Sequence, residues 1–273
     1  MLTPPYPELD ELLVMLGEAG RHLADIGACE GAAGNISLCF RWQADLRARF
    51  PNIGEIELPQ WVPELGGATF IDSGSRRRLR EILDEPTANL ACIVVNGDGK
   101  TGKLYTSNQC RFECVTSEFN SYLAVHYDQI CSTNTNFHAI IHGQPIHLTY
   151  LSQIPRYQDD RFLNKHLLRW QPETIINLPE GIGFIPFQIP GSEELMAGNV
   201  DALRNHRIVI WAKHGVMVRS DSSIKHAVDL LEYAETAAKY EYLNISAGEL
   251  GQGLSADEIH AVCKKFKVNQ DIF

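Results

Sequence analysis

The stretch Asn136–Pro145, NFHAIIHGQP, holds an apolar run that ends on a histidine. Ala139, Ile140 and Ile141 lead into His142, and Gly143, Gln144 and Pro145 stop the run at once. A continuous apolar run of this length, cut off by Gly and Pro, predicts a strand buried on both faces. His142 then sits at the strand end, where its side chain can point into a cleft. Two other segments are built to meet it. One is VTSEF around Glu118; the other, IVIWAKHGVMVRS, rises as an apolar strand, delivers His214 and turns on Gly215. Two strands that each deliver a His, with a Ser-Glu pair at a helix start, point to a metal-assisted enzyme site.

The bulk composition is compatible with that reading. A chain of 273 residues with 44% hydrophobic and 21% charged content can bury a full core. A net charge of −10 argues against general nucleic-acid or acidic-membrane binding, which need a basic face, but leaves room for a local phosphate site. The seven cysteines are an odd number with neither a CxxC pair nor a regular framework, and read as reduced thiols. The N-terminal MLTPPYPELDELL lacks a basic region and a long apolar core, and no stretch approaches a membrane span. A cytoplasmic protein is expected.

Along the chain, Leu9, Leu12, Leu13, Leu16 and Leu23 recur at helical spacing, with Gly27 as a stop. CEGAAGNISLCF is a small-residue turn entering a strand; its backbone can approach an anion, and Asn35 adds an amide donor. Residues 42–66 show no periodicity and read as a surface excursion. In GGATFIDSGSRRRLREI a strand leads through Ser73, Gly74 and Ser75 into Arg76 and an expected helix. That junction is either an anion site at a helix N-terminus or a Ser cap before a solvated basic face. Asn96-Gly97-Asp98-Gly99 between two β-rich runs predicts a hairpin. Thr116-Ser117-Glu118 opens a helix through Ile130. PETIINLPEGIGFIPFQIPGSEEL reads as short strands, with Ser192 then capping a helix to Asn205. Ile224–Leu243 is a long amphipathic helix, and Ser255 with Glu258 forms a capping box. The pattern predicts one α/β domain over residues 1–273, with a central mixed, mainly antiparallel sheet flanked by helices.

In order and spacing, GAAGNIS, SGS, TSEF with downstream His126, the His142 strand and KHGVMV resemble the class II aldolase/adducin family. PETIINLPEGIGFIPFQIPGSEEL is similar to its L-rhamnulose-1-phosphate aldolase branch. The resemblance implies an aldehyde-lyase that cleaves a phosphorylated ketose with zinc or another divalent metal. It assigns Glu118 as acid/base and His142 and His214 as two of three metal ligands. Asn35, Ser73, Gly74, Ser75, Thr116 and Ser117 fall at or beside phosphate-binding positions. Glu173 matches a second carboxylate, contributed across a homotetramer by a neighbouring subunit.

The chain departs from the family pattern twice. Where the family carries His-x-His, this chain has His142-Gly143-Gln144, so Gln144 points where an imidazole is expected. An amide oxygen is a neutral and weaker ligand, so the metal site is expected to be altered. His147 and His138 are the nearby substitutes. Ala32 stands where relatives carry a polar residue that helps bind phosphate, with Arg76 as a compensating cation. Two alternatives follow from the same resemblance: a non-catalytic, adducin-like oligomeric or ligand-binding protein, and a sugar-phosphate epimerase or dehydratase.

Overall fold

The computed structural model describes residues 1–273. In chain order its elements are α1 (Leu9–Asp25), β1 (Asn35–Phe40), β2 (Asn52–Glu57), β3 (Thr69–Ser73) and α2 (Pro86–Asn89). The hairpin β4 (Leu90–Val95) and β5 (Thr101–Thr106) follows, then α3 (Phe119–Thr133), β6 (Phe137–Gly143), α4 (Ile146–Leu151) and α5 (Asp160–Leu167). The chain ends with α6 (Pro172–Asn177), β7 (Gly183–Ile185), α7 (Glu193–Asn205), β8 (Ile208–Trp211), β9 (Gly215–Ser220), α8 (Ile224–Ser246) and α9 (Ala256–Phe266).

The nine strands form one sheet in the order β2-β5-β4-β3-β1-β6-β9-β8-β7. Every pairing is antiparallel except the parallel β7–β8 contact at one edge. A mixed, mainly antiparallel sheet in a single α/β domain is therefore the architecture, as the pattern predicts. β6 lies near its middle and is buried at all seven positions.

Alternation along the central strands sorts residues onto two faces. Ile36, Leu38 and Phe40 of β1, with Ala139 and Ile141 of β6, join the main core with α1 and α8. The opposite pleats carry Asn35, Ser37 and Cys39, and His138, Ile140 and His142, toward α3 and α7. Ile140 there packs with Tyr122, Trp211 and Met217, while Cys39 packs with Phe70, Phe119 and Leu123. The β1–β6 register sets Asn35 opposite His142, and the β6–β9 register sets Gly143 opposite Val216. Chemistry-bearing side chains thus gather at one end of the α3 face.

Three local expectations are corrected. Residues 42–66 are not an unstructured excursion, because β2 forms there as the sheet's edge strand, solvent-exposed at all but one position. No helix begins at Ser75; Arg76 takes a left-handed φ of 58°, and only a short 3-10 turn, Leu79–Glu81, follows. PETIIN forms α6 with Pro172 in its first turn, leaving β7 as the one strand in that region. No helix is long and apolar enough to cross a membrane.

Candidate active site

His142 is buried, and its Nδ1 lies 2.8 Å from the Val216 carbonyl oxygen. A carbonyl can only accept, so Nδ1 carries the proton and Nε2 keeps its lone pair. The indole of Trp211 stacks on the ring at 4.4 Å, and that indole is fixed by an N–H···O bond of 2.6 Å to Asn199.

His214 comes from the β8–β9 turn. Lys213 adopts a left-handed φ of 64°, and its N–H donates to the Ser152 hydroxyl at 2.8 Å, which aims the next residue back over the sheet. The His142 and His214 ring centroids are 5.0 Å apart. His214 Nδ1 is buried and has no hydrogen-bond partner. Burial pushes both imidazoles down in pKa, His142 to about 3 with the His214 ring beside it adding to the effect. Both are neutral at ordinary pH, the form that ligates a metal.

Gln144 completes the cluster. Its backbone N–H donates to Ala28 O at 2.6 Å, while its side-chain amide makes no hydrogen bond to the protein. Gly215 shows how tight the junction is. A Cβ there would stand 2.4 Å from the Gly143 carbonyl oxygen and 3.1 Å from both Gln144 Cγ and His142 Cε1. Nowhere do three or more His, Cys, Asp or Glu side chains gather as a metal-binding group. The donor set at this corner is two imidazoles and one amide, which fits a divalent ion held more weakly than by three imidazoles.

The two substitute histidines are occupied elsewhere. His147 Nδ1 bonds the Glu235 carboxylate at 2.6 Å. His138 lies four residues back along β6, its Nδ1 2.7 Å from His126 Nδ1.

Glu118 caps α3 and is 3% exposed. Burial raises its carboxyl pKa, and one N–H, from Gly191 at 3.3 Å, opposes that rise. A carboxylate with one donor and little water is suited to exchange a proton. The loop supplying Gly191 is anchored by Asn120 Nδ2, which donates to Gly191 O at 2.9 Å. Gly191 has φ 75°, and a Cβ there would meet Ser117 O at 3.2 Å. Sequence reasoning missed this loop contact, although the Pro190-Gly191 pair was a visible turn signal.

Beside Glu118 lies a cavity of about 350 Å³ lined by Asn35, Gly74, Ser75, Arg76, Thr116 and Ser117, with Ala32 at its rim. The Gly74–Val115 bridge draws these segments together, and the Phe112 ring occupies the space a Cβ on Gly74 would need. Arg76 is exposed and has no ion-pair partner. Ser73 does not line this cavity: its hydroxyl is buried and accepts the Ile36 N–H at 3.1 Å. Glu173 is not brought to the site within the protomer; it is exposed on α6, which packs on α8 and α9.

A second polar group lies deeper under α3. Ser37 Oγ is 2.9 Å from His126 Nε2, His126 meets His138, and Asp72 faces Ser37 across the β1–β3 ladder. All four are buried, and neither Asp72 carboxylate oxygen has a hydrogen-bond partner.

Residues 15–242 match the model of the Class II Aldolase and Adducin N-terminal domain. The chain is 28% identical over 213 residues to rhamnulose-1-phosphate aldolase of Enterobacter sp. (strain 638), covering 78% of this chain and 76% of that protein. The Escherichia coli (strain SE11) protein of that name is likewise 28% identical. A sugar-phosphate aldolase from Thermotoga maritima superposes with a TM-score of 0.74 at 25% identity, over 90% of this chain and 99% of that one. An L-fuculose 1-phosphate aldolase shares the fold, with a TM-score of 0.61 at 19% identity. The chain belongs to the class II aldolase and adducin family.

Proposed function

We propose that the protein is a metal-dependent, cytoplasmic aldolase that cleaves a phosphorylated ketose, with Gln144 serving as its third metal ligand. The observation that carries this reading is the adjacency of three features: a buried carboxylate, two neutral imidazoles and a polar cavity. Glu118 is one turn from Tyr122, Tyr122 contacts Asn35, and Asn35 is the ladder partner of His142. One ligand can therefore span them.

In this reading His142, His214 and the Gln144 amide oxygen hold the ion. When bound, the ion polarises the carbonyl and adjacent hydroxyl oxygens of the substrate and stabilises the negative charge that develops as the carbon–carbon bond breaks. The cavity at Asn35, Ser75, Thr116 and Ser117 takes the phosphate, with Arg76 as the nearby cation. That grip fixes the sugar chain against Glu118. In the cleavage direction the hydroxyl of the departing fragment releases its proton to water as it becomes the aldehyde carbonyl. The electron pair of the breaking carbon–carbon bond stays on the phosphate-bearing fragment, and Glu118, protonated, returns a proton to that fragment's terminal carbon. Synthesis runs the same steps backward, with Glu118 as base. The raised pKa suits both roles. Glu173, exposed on α6, is offered to a neighbouring subunit in a tetramer.

A carboxylate buried at 3% exposure costs free energy that a pure scaffold gains nothing from, which favours catalysis over the adducin-like alternative. The test is metal analysis of the purified protein by mass spectrometry, followed by assays of ketose 1-phosphates for aldehyde release. Near-stoichiometric divalent metal with cleavage supports the reading. An empty site that stays inactive with added metal refutes it, and epimer or dehydration products redirect it.

A further inference from the structure

We propose that Tyr122 is a positioning residue that locks the Asn35 side chain so that its amide N–H₂ faces the anion cavity. The inference rests on the phosphate role given above to that cavity, and names the residue that orders it. Tyr122 sits on α3, and its side chain is fully buried. Its ring packs with Val125, Ile140, Trp211 and Met217. Its hydroxyl donates to Asn35 Oδ1 and lies 3.2 Å from the Asn35 backbone oxygen.

The hydroxyl oxygen accepts from the His142 backbone N–H and faces two acceptors on Asn35, so its one proton is donated to Asn35. A donor at Oδ1 fixes which way the carboxamide is turned, because the two ends of an amide are otherwise close to interchangeable in shape. With Oδ1 engaged, Nδ2 is left without a protein acceptor on a residue that lines the cavity. Burial keeps the phenol protonated by pushing its pKa well above the ordinary value. Ala32, on the same rim, has no donor side chain, so the cavity has one carboxamide and its orientation matters.

The experiment is calorimetric titration with inorganic phosphate of the unmodified protein, Tyr122→Phe, Asn35→Ala and the double variant. The Phe variant keeps the ring and its packing and deletes only the hydroxyl. About tenfold weaker phosphate binding is expected for Tyr122→Phe, as for loss of one oriented hydrogen bond. The double variant should bind no more weakly than Asn35→Ala, since Tyr122 acts only through Asn35. A ring that merely filled space would leave Tyr122→Phe at the unmodified affinity, and an independent contribution would make the two losses add; either result overturns the assignment. If the unmodified protein takes up no phosphate, the cavity's role fails first and this inference falls with it, whereas binding that ignores Tyr122→Phe refutes this inference alone.

Discussion

The Gly191 N–H donates to Glu118 Oε2 at 3.3 Å, and it is the one hydrogen-bond donor that the protein offers this carboxylate. The contact stabilises the ionised form against a burial that disfavours it. Asn120 holds the loop in place through Gly191 O. Asn120→Ala should therefore loosen the donor and raise the Glu118 pKa further. Because activity in the synthetic direction needs the carboxylate ionised, the acidic limb of the pH–rate profile should move to higher pH. Glu118→Gln should lower kcat by roughly a thousandfold, with phosphate binding unchanged. An acidic limb that stays put in Asn120→Ala would show that the loop does not tune the carboxylate.

Gln144 is the one member of the proposed donor set that is not an imidazole. Its side-chain amide is free of protein partners and lies against Gly215 beside His142. Gln144→His replaces a neutral oxygen donor with an imidazole and should tighten zinc binding by at least about tenfold. Competition against a chromogenic chelator measures this directly. Equal affinity in the two proteins would mean that residue 144 does not reach the ion.

Gly215 is required by the approach of β9 to β6. The Gly143 carbonyl oxygen would be 2.4 Å from a Cβ at this position, and backbone cannot swing aside as a side chain can. Gly215→Ala should cost about 1–3 kcal/mol in urea unfolding and weaken metal uptake, because the displaced strand carries His214 with it. Gly31→Ala is the contrasting control: unlike Gly215 it has a positive φ, 56°, but a Cβ there meets nothing within 4 Å. It should lose a smaller amount, through backbone strain alone, with metal uptake intact.

The parts of the site that were legible in the sequence are those that local pattern dictates. An apolar run ending in Gly143 and Pro145 marks a buried strand without tertiary knowledge, and it located His142. The turn before Gly215 did the same for His214, and the TSEF segment for Glu118. What stayed hidden depends on contacts between distant segments. β2 is an edge strand with little apolar surface, so its sequence lacks the alternation that a half-buried strand shows. The β-branched run Thr174-Ile175-Ile176 in PETIIN favours a strand locally, yet packing on α8 and α9 accompanies a helix there. Tyr122 reads as an ordinary core aromatic until β1 brings Asn35 beneath it. The same holds for Asp72, whose place in a strand says nothing of the histidines across the sheet.

Asp72 makes the protein's stability depend on pH in a direction opposite to its buried histidines. Burial raises its carboxyl to about 7 from an unfolded value near 3.8. The folded state therefore holds this proton more tightly than the unfolded chain. The resulting stabilisation is full below about pH 3.8 and is lost as pH rises through 7. His126 and His138, which face the same pocket from α3 and β6, are pushed down by burial, His138 to about 3. Their contribution is present above about pH 6.5 and is lost as pH falls toward 3. Asp72→Asn keeps the shape and removes only the acid. Relative to the unmodified protein it should gain stability steadily between about pH 4 and pH 7, by a total of roughly 2–4 kcal/mol, and level off above. Urea unfolding at pH 4, 5.5, 7 and 8.5 measures the difference. A constant offset across that range would mean that the Asp72 carboxyl titrates alike in the folded and unfolded states.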